Sequence, residues 1–195
     1  MADTIASVSI SELIIKKSRF LGRVEPIRDR AEAQRVVASL WREHPSATHV
    51  CWALMAGGQS AANDDGEPSG TAGRPMLEVL RHQKLEGVLA TVVRYYGGIN
   101  LGAGGLVRAY TDAIAQALKG ATKVSIVPMQ RVACALPYAL EGILRNRITQ
   151  LGLTVLSSEK GMDLKIMIEG PENLIQSLMR DLNESAHGRI VWVEI

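Results

Sequence analysis

Two stretches of the chain carry polar and glycine residues that a protein core does not need. The first, DDGEPSGTAGRPM, begins at Asp64 and is called the acidic loop below. It offers three carboxylates, on Asp64, Asp65 and Glu67, and two hydroxyls, on Ser69 and Thr71. Its glycines and prolines exclude a buried strand and favour an ordered surface loop. Any acid–base or metal chemistry in this chain is expected here.

The carboxylates of the acidic loop can be interpreted in two ways. Asp64, Asp65 and Glu67 could act as acid and base or together bind Mg²⁺, since hard cations prefer carboxylate oxygens. They could instead hold the loop itself, with the aspartates accepting backbone N–H bonds and Glu67 pairing with an arginine. Ser69 or Thr71 could be a nucleophile, but no histidine stands in a recognisable partner motif. We expect no metal, and the three carboxylates remain the only catalytic candidates.

The second stretch, RYYGGINLGAGGLVRAY, begins at Arg94 and is called the glycine-rich loop below. Its glycines separate an apolar, strand-like run from an amphipathic run, which is typical of a ligand-facing turn at a helix start. Free backbone N–H groups there would cradle an anion, and nearby arginines would add positive charge. The predicted ligand-binding residues are Ser69, Thr71, Arg74, Arg94, Gly97, Gly98, Gly102, Gly104, Gly105 and Arg108. The alternative, that the glycines only permit tight turns and close packing, stays open.

The glycine-rich loop is neither of the two common nucleotide-binding motifs. No Gly-Lys-Ser/Thr follows it, so it is not a P-loop. GAGGLV puts Val107 where the third glycine of a dinucleotide fingerprint belongs, and no acidic residue occurs between Asp112 and Glu141. We therefore expect no cofactor.

Cysteine and histidine offer one further pair. His49 and Cys51 stand two apart on a predicted strand, so they share a face and could form a thiolate–imidazole pair. The alternative is a packed, inert cysteine. Cys51 and Cys134 are the only cysteines, and neither belongs to a C-x-x-C pair. A structural zinc site or disulfide framework is thus unsupported, and a reduced, cytoplasmic location fits.

Composition indicates a folded protein of one full domain and a smaller second one. The chain has 195 residues, 47% of them hydrophobic, and a net charge of +2. Disorder is excluded, and the charge is too small for the whole chain to be a nucleic-acid-binding surface. No apolar run reaches the roughly 18 residues of a membrane span, and the first residues do not resemble a signal peptide. We expect no membrane contact.

Hydrophobic periodicity predicts the elements that hold both loops. The predicted strands lie at 10–15, 20–27, 48–56 and 86–94, and the predicted helices begin at Asp29, at Ser69 or Thr71 as a cap, and after the glycines. The strand at 86–94 is apolar on both faces and should be central. After a junction near Pro128, the order strand, helix, strand, strand, helix, strand predicts a ferredoxin-like split arrangement.

Four motifs make the chain resemble a known family. They are KKSRF from Lys16, HPSATHVCWA from His44, NDDGEPSGTAGRPMLEVL from Asn63 and VVRYYGGINLGAGGLVRAY from Val92. Together they are similar to the Impact/YigZ family of small cytoplasmic proteins, and the similarity covers roughly residues 10–120.

The resemblance implies a fold and a cellular context. It implies an N-terminal domain like domain 2 of ribosomal protein S5, followed by a ferredoxin-like domain. That pairing resembles domains IV and V of the translocation factor EF-G, which face ribosomal RNA, and eukaryotic relatives regulate translation. We predict an α+β protein with an Impact-type domain at 1–127 and a ferredoxin-like domain at 128–195.

The leading functional hypothesis is a noncatalytic, translation-associated regulatory factor that contacts RNA, the ribosome or a protein partner. The phosphates would be met by Arg74, Arg94 and Arg108 together with Lys16, Lys17 and Arg19. Tyr95 or Tyr96 would stack on a base, although strand alternation buries one of the two tyrosines. The rival is an enzyme or small-molecule binder that uses the acidic loop and the glycine-rich anion cradle. A third possibility is a protein-interaction module. All three require the two loops to meet.

Overall fold

The structure is a computed structural model that describes residues 2–186 and 189–194. The chain divides into two compact units, Met1–Ile126 and Val127–Ile195, against predicted ranges of 1–127 and 128–195. Neither unit contains, within the described residues, a helix with the length and apolar character needed to cross a bilayer.

The N-terminal unit is built on a five-stranded antiparallel sheet. Its strands are β2 (Ser9–Ile15), β3 (Ser18–Pro26), β4 (His49–Ala56), β5 (Gln59–Asn63) and β6 (Val88–Tyr95). They lie in the order β2-β3-β6-β4-β5, so the predicted central position of the 86–94 run is confirmed. A separate antiparallel pair joins β1 (Asp3–Ile5) to β7 (Lys123–Ser125).

Three helices cover the two faces of this sheet. They are α1 (Arg30–Glu43), α2 (Gly73–His82) and α3 (Ala103–Lys119). Alternate side chains of β6 point to opposite faces of the sheet. Val88, Ala90 and Val92 pack in the core beneath α2 and α3. Leu89 and Val93 pack on the other face in clusters with α1. Coverage on both faces explains why β6 is apolar except at Thr91 and at its last two residues, Arg94 and Tyr95.

The C-terminal unit has the predicted ferredoxin-like arrangement. Its elements are β8 (Met129–Leu136), a 3₁₀ turn (Tyr138–Leu140), α4 (Glu141–Leu151), β9 (Thr154–Lys160), β10 (Leu164–Pro171), α5 (Glu172–Ala186) and β11 (Val191–Glu194). The sheet order is β11-β8-β10-β9 with antiparallel pairing throughout. The predicted α+β fold class is confirmed.

Three short strands of the N-terminal unit have no counterpart in the sequence prediction. These are β1, β5 and β7, and most of their side chains are exposed or only partly buried. Strands of only three to five residues are too short to show the hydrophobic alternation that identifies a strand in a sequence.

Candidate functional site

The carboxylate of Asp64 organises the acidic loop. Its Oδ2 accepts the N–H of Gly70 at 2.8 Å, and its Oδ1 accepts those of Ala72 at 3.0 Å and Gly73 at 2.8 Å. Burial alone would raise the pKa of Asp64, but the three amide donors outweigh it and hold that pKa below its ordinary value. Asp64 is therefore an ionised structural residue that closes the loop onto the start of α2.

The prediction that Ser69 or Thr71 caps α2 is wrong. Ala72 occupies the cap position and supplies no side-chain hydrogen bond. The Thr71 hydroxyl donates instead to the carbonyl of Pro68 at 2.6 Å, and Ser69 is exposed. Asp64 satisfies the first amides of the helix from outside the usual cap position, which a rule based on adjacent residues does not detect.

Asp65 attaches the loop to β4. Its carboxylate accepts the N–H of Val50 at 2.6 Å, and its carbonyl lies 2.7 Å from Nδ1 of His49. Because a carbonyl oxygen only accepts, Nδ1 of His49 donates this hydrogen bond. Two of the three predicted carboxylates thus hold the loop itself.

Glu67 is the third carboxylate, and it joins the two loops. Its side chain is only 3% exposed, and its Oε1 accepts hydrogen bonds from Nη1 of Arg94 and from the hydroxyl of Tyr110 at 2.7 Å. Nε2 of His49 lies 3.9 Å from the same oxygen. The buried Glu67–Arg94 ion pair brings the acidic and glycine-rich loops together.

Arg94 is a buried support for this carboxylate. The residue is 5% exposed, and its guanidinium stands 5.3 Å from the ring centre of Phe20 and 5.4 Å from that of Tyr96. Nη2 lies 3.4 Å from the hydroxyl of Ser18, while Nε has no hydrogen-bond partner among the described residues. The guanidinium of Arg94 therefore forms a buried ion pair with Glu67 and is not exposed at the surface.

The thiol of Cys51 belongs to the same buried cluster. Its Sγ lies 3.0 Å from the carbonyl oxygen of Asp64 and 3.3 Å from the hydroxyl of Tyr110. No Cys51–His49 pair forms, because Nδ1 of His49 is hydrogen-bonded to Asp65 and the Cys51 thiol contacts Asp64 and Tyr110. Burial raises the pKa of the Cys51 thiol and that of Tyr110, so both stay protonated. Cys51 is a packed thiol, which is the alternative that the sequence left open.

A cavity of about 440 Å³ lies between the two loops and is called the polar cavity below. Its lining residues are Thr48, His49, Glu67, Pro68, Arg94, Tyr96, Asn100, Leu101, Gly102, Ala103 and Leu106. They come from the start of β4, both loops and the first turn of α3. The cavity brings residues of both stretches together.

The N-terminus of α3 forms one side of this cavity. Gly102 precedes the helix with φ of 73°, no side chain caps it, and its first turn holds no acidic residue. The first hydrogen bond of the helix runs from Leu106 N–H to the Gly102 carbonyl, so the N–H groups of Ala103, Gly104 and Gly105 have no helical acceptor. A Cβ on Gly104 would meet no atom within 4 Å, so packing alone does not require glycine there.

The turn between β2 and β3 lies directly against the glycine-rich loop. A Cβ on Gly97 would stand 2.0 Å from the backbone carbon of Lys17, and Gly97 N–H donates to Ser18 Oγ at 3.1 Å. Lys16 and Lys17 are exposed with φ of 45° and 65°, and they are called the basic turn below. Gly97 is thus required for the contact between the basic turn and the loop, whereas Gly98 has open space around it.

The remaining predicted residues are distributed over different surfaces. Arg19 pairs with Glu12 at 2.5 Å and lies 5.9 Å from the ring centre of Tyr95, whose hydroxyl bonds to His44 at 2.7 Å. Tyr95 is partly buried and Tyr96 is 45% exposed, as the alternation of the strand predicts.

Arg74 and Arg108 are both exposed, and neither lines the polar cavity. Arg74 lines a different groove, between α2 and α3. The three arginines that were predicted to share one anion site therefore have three different surroundings.

Several residues of the site escaped the sequence reasoning. The sequence prediction did not include Tyr110, Ser18 or Thr48 among the site residues. Ser18 is completely buried and supports Arg94 and Gly97, which lie 76 and 79 residues away. No local pattern carries such a signal. Within 2–186 and 189–194, no group of three or more histidine, cysteine, aspartate or glutamate residues is arranged to hold a metal.

Comparison with known proteins shows which family the chain resembles. Residues 16–118 match the sequence profile of the Impact N-terminal domain. An Impact family member of Haemophilus influenzae is 36% identical over 192 residues, which cover 95% of this chain and 92% of the relative. YvyE of Bacillus subtilis is 33% identical, with 98% and 93% covered. YigZ of Escherichia coli is 43% identical over 64% of this chain and 63% of its own length.

A solved structure has the same fold along the whole length. It is a crystal structure of a hypothetical protein, 31% identical, with a TM-score of 0.75 over 100% of this chain and 98% of that chain. The similarity covers the N-terminal sheet, both loops and the ferredoxin-like unit.

Proposed function

The chain belongs to the Impact family, and from that premise we propose that its N-terminal unit is the RNA-binding module of a translation-associated factor. The basic turn supplies the cations that meet phosphates, and the polar cavity beside it supplies the polar contacts. The family resemblance supports the translation context, and the arrangement of these residues supports the RNA contact.

The observation that carries the proposal is the packing of the basic turn on Gly97. It sets two exposed ammonium groups, on Lys16 and Lys17, beside the loop that forms the polar cavity. The exposed ring of Tyr96 and the free N–H groups of α3 belong to the same loop and its helix. Cations, an aromatic face and backbone donors are the groups with which proteins hold single-stranded RNA.

Arg94 serves this surface indirectly. By pairing with Glu67 it neutralises a carboxylate that would otherwise repel phosphate close to the cavity. Because the whole chain carries only +2, binding must rest on this local group of cations. We therefore expect modest affinity that falls steeply with salt.

The test is fluorescence anisotropy of a labelled single-stranded RNA with the full chain at about 50 mM and about 200 mM salt. We expect Lys16→Glu/Lys17→Glu to weaken binding about tenfold or more and to flatten the salt dependence by about one unit of slope per lost phosphate contact. Ultraviolet crosslinking should lose its products from the glycine-rich loop in the same variant.

The matched control is Arg35→Glu/Arg42→Glu, which reverses two exposed charges on α1. This control should lower RNA affinity only through the change in net charge. The loss of affinity should be much smaller than that of the basic-turn variant. Arg74→Glu/Arg108→Glu tests the wider set of arginines, and a loss equal to that of the basic-turn variant would move the surface to α2 and α3. An absence of binding by the wild type at the lower salt would overturn the proposal.

A second candidate is a small-molecule binder that uses the polar cavity. It is favoured by the position of His49 Nε2, 3.9 Å from a buried carboxylate that lines the same cavity. A thermal-shift screen of phosphate metabolites and divalent cations tests it. Stabilisation that His49→Ala abolishes would support it, and no stabilisation by any compound would remove it.

A further inference from the structure

Glu67 has one oxygen that the protein does not use. Oε1 takes the bonds from Arg94 and Tyr110, whereas Oε2 makes no hydrogen bond within the described residues. Glu67 lines the polar cavity, so this unused oxygen is what the carboxylate can offer to a ligand there.

An unpartnered carboxylate oxygen in a cavity requires a hydrogen-bond donor. Arg94 already balances the charge of Glu67, so the oxygen does not demand a cation, and a neutral hydroxyl satisfies it. A hydroxyl donating to an ionised carboxylate forms a stronger bond than one between neutral groups. The cavity therefore favours a ligand with a hydroxyl at this point.

Two other features of the cavity specify the rest of the ligand. The free N–H groups at the start of α3 suit an anion, and Gly104 leaves room for it. The exposed ring of Tyr96 offers a flat apolar face, and its hydroxyl bond to Asn100 at 3.0 Å helps to hold the ring in place. An anion, a hydroxyl and a planar ring at neighbouring points describe a ribonucleotide.

We propose that the polar cavity receives one ribonucleotide, with its phosphate at the N-terminus of α3, its base on Tyr96 and its ribose 2′-hydroxyl donating to Glu67. The inference rests on the proposed RNA-binding function and assigns selectivity for RNA over DNA to a single carboxylate. The cavity volume of about 440 Å³ fits one such unit. Deoxyribose lacks the 2′-hydroxyl and leaves Oε2 without its donor.

The experiment compares the anisotropy of single-stranded RNA and DNA of the same sequence, binding to the full chain. We expect the wild type to prefer RNA about tenfold, the value of one charge-assisted hydrogen bond. Glu67→Gln keeps an acceptor for Arg94 and Tyr110 but replaces the charged bond, so the preference should shrink to about two- to threefold. Affinity for DNA should stay within about twofold, because the basic turn is unchanged.

A second variant addresses folding. Glu67→Met/Arg94→Met removes the acceptor and its buried partner together, so neither charge is left alone. If it keeps the wild-type circular dichroism and a cooperative thermal transition, it should bind RNA and DNA equally. A variant that loses affinity for both nucleic acids to the same extent would show that Glu67 only supports the fold, which overturns the inference.

The outcomes separate this inference from the function on which it rests. Equal binding of RNA and DNA by the wild type removes the role of Glu67 and leaves RNA binding intact. Adenosine 5′-monophosphate and its deoxy form, titrated by NMR, distinguish a free nucleotide from a chain. Selective binding of the ribose form without any RNA binding would keep the site and overturn the RNA-binding function. No binding of any of these ligands overturns both.

Discussion

The two units of this chain differ in what they bury. In the N-terminal unit, six polar or charged residues lie in the interior, namely Ser18, Glu25, Glu67, Thr71, Thr91 and Arg94. The buried side chains of the C-terminal unit are all apolar within its described residues. Its ion pairs lie at the surface, as for Arg131 with Glu169, whose side chains are 60% and 27% exposed.

The N-terminal unit carries the candidate site and buries polar groups, whereas the described interior of the C-terminal unit is an apolar core. A buried ion pair contributes little to stability compared with apolar residues of the same size, because both charges lose their hydration. The Glu67–Arg94 pair, with its ring stacking and its bonds to Tyr110 and Ser18, is therefore better explained by the cavity that it shapes than by stability.

The largest expected effect comes from breaking that pair on one side. Arg94→Met leaves Glu67 ionised and buried without its partner, and we expect the free energy of unfolding of the N-terminal unit to fall by about 4 kcal/mol. Urea unfolding followed by tryptophan fluorescence measures it. A Trp192→Phe background leaves only Trp41 and Trp52, both in the N-terminal unit.

The companion variant is Glu67→Met/Arg94→Met, which should recover most of the loss because no charge is left unpaired. If Arg94→Met alone lowers the free energy of unfolding by less than about 1 kcal/mol, the ion pair behaves as an exposed one. The proposed difference between the two units would then be smaller.

A smaller effect, with a pH dependence, is expected at Asp64. Asp64→Asn replaces a charged acceptor of three amides and presents an N–H₂ group to one of them, which should cost about 2 kcal/mol at pH 7. The folded pKa of Asp64 lies below its ordinary value of 3.8, so this contribution is complete above that value and is lost as the pH falls through the folded pKa. The difference in stability between wild type and variant should therefore shrink as the pH falls below 3.8.

The control for Asp64 is Asp163→Asn, at an exposed position of the C-terminal unit. It should leave stability unchanged at every pH. A wild-type advantage at Asp64 that stays constant from neutral to acidic pH would show that the amide bonds do not depend on the carboxylate charge.

The smallest effect is expected from the exposed pair of the C-terminal unit. Arg131→Gln removes the contact with Glu169, and we expect the free energy of unfolding to change by less than about 0.5 kcal/mol. Trp192 fluorescence in a Trp41→Phe/Trp52→Phe background reports this unit. A cost comparable to that of Arg94→Met would remove the difference between the two units.

Much of the fold could be predicted because its long elements carry local periodic signals. Such a signal is shown by the apolar run of β6, by the amphipathic α3, and by the alternating strands β8 and β10 of the C-terminal unit. The short strands β1 and β7 could not be found, since each is defined by its partner and the two lie at opposite ends of the unit.

The site could be located in the sequence but its residue roles could not be assigned. The acidic loop and the glycine-rich loop were recognisable by composition. The separate tasks of Asp64, Asp65 and Glu67 were not, because they depend on contacts with α2, β4 and Arg94 that are absent from the local pattern. A pattern of carboxylates is the same whether they bind amides, an arginine or a ligand.

The pairing of β1 with β7 has a consequence for the order of synthesis. Asp3 pairs with Ser125, so the first strand of the N-terminal unit leaves the ribosome long before its partner exists. At about 5 to 20 residues per second, that wait is on the order of ten seconds. β7, the last strand of the N-terminal unit to be made, completes the unit by pairing with β1. This order favours folding of the N-terminal unit before the ferredoxin-like unit has emerged.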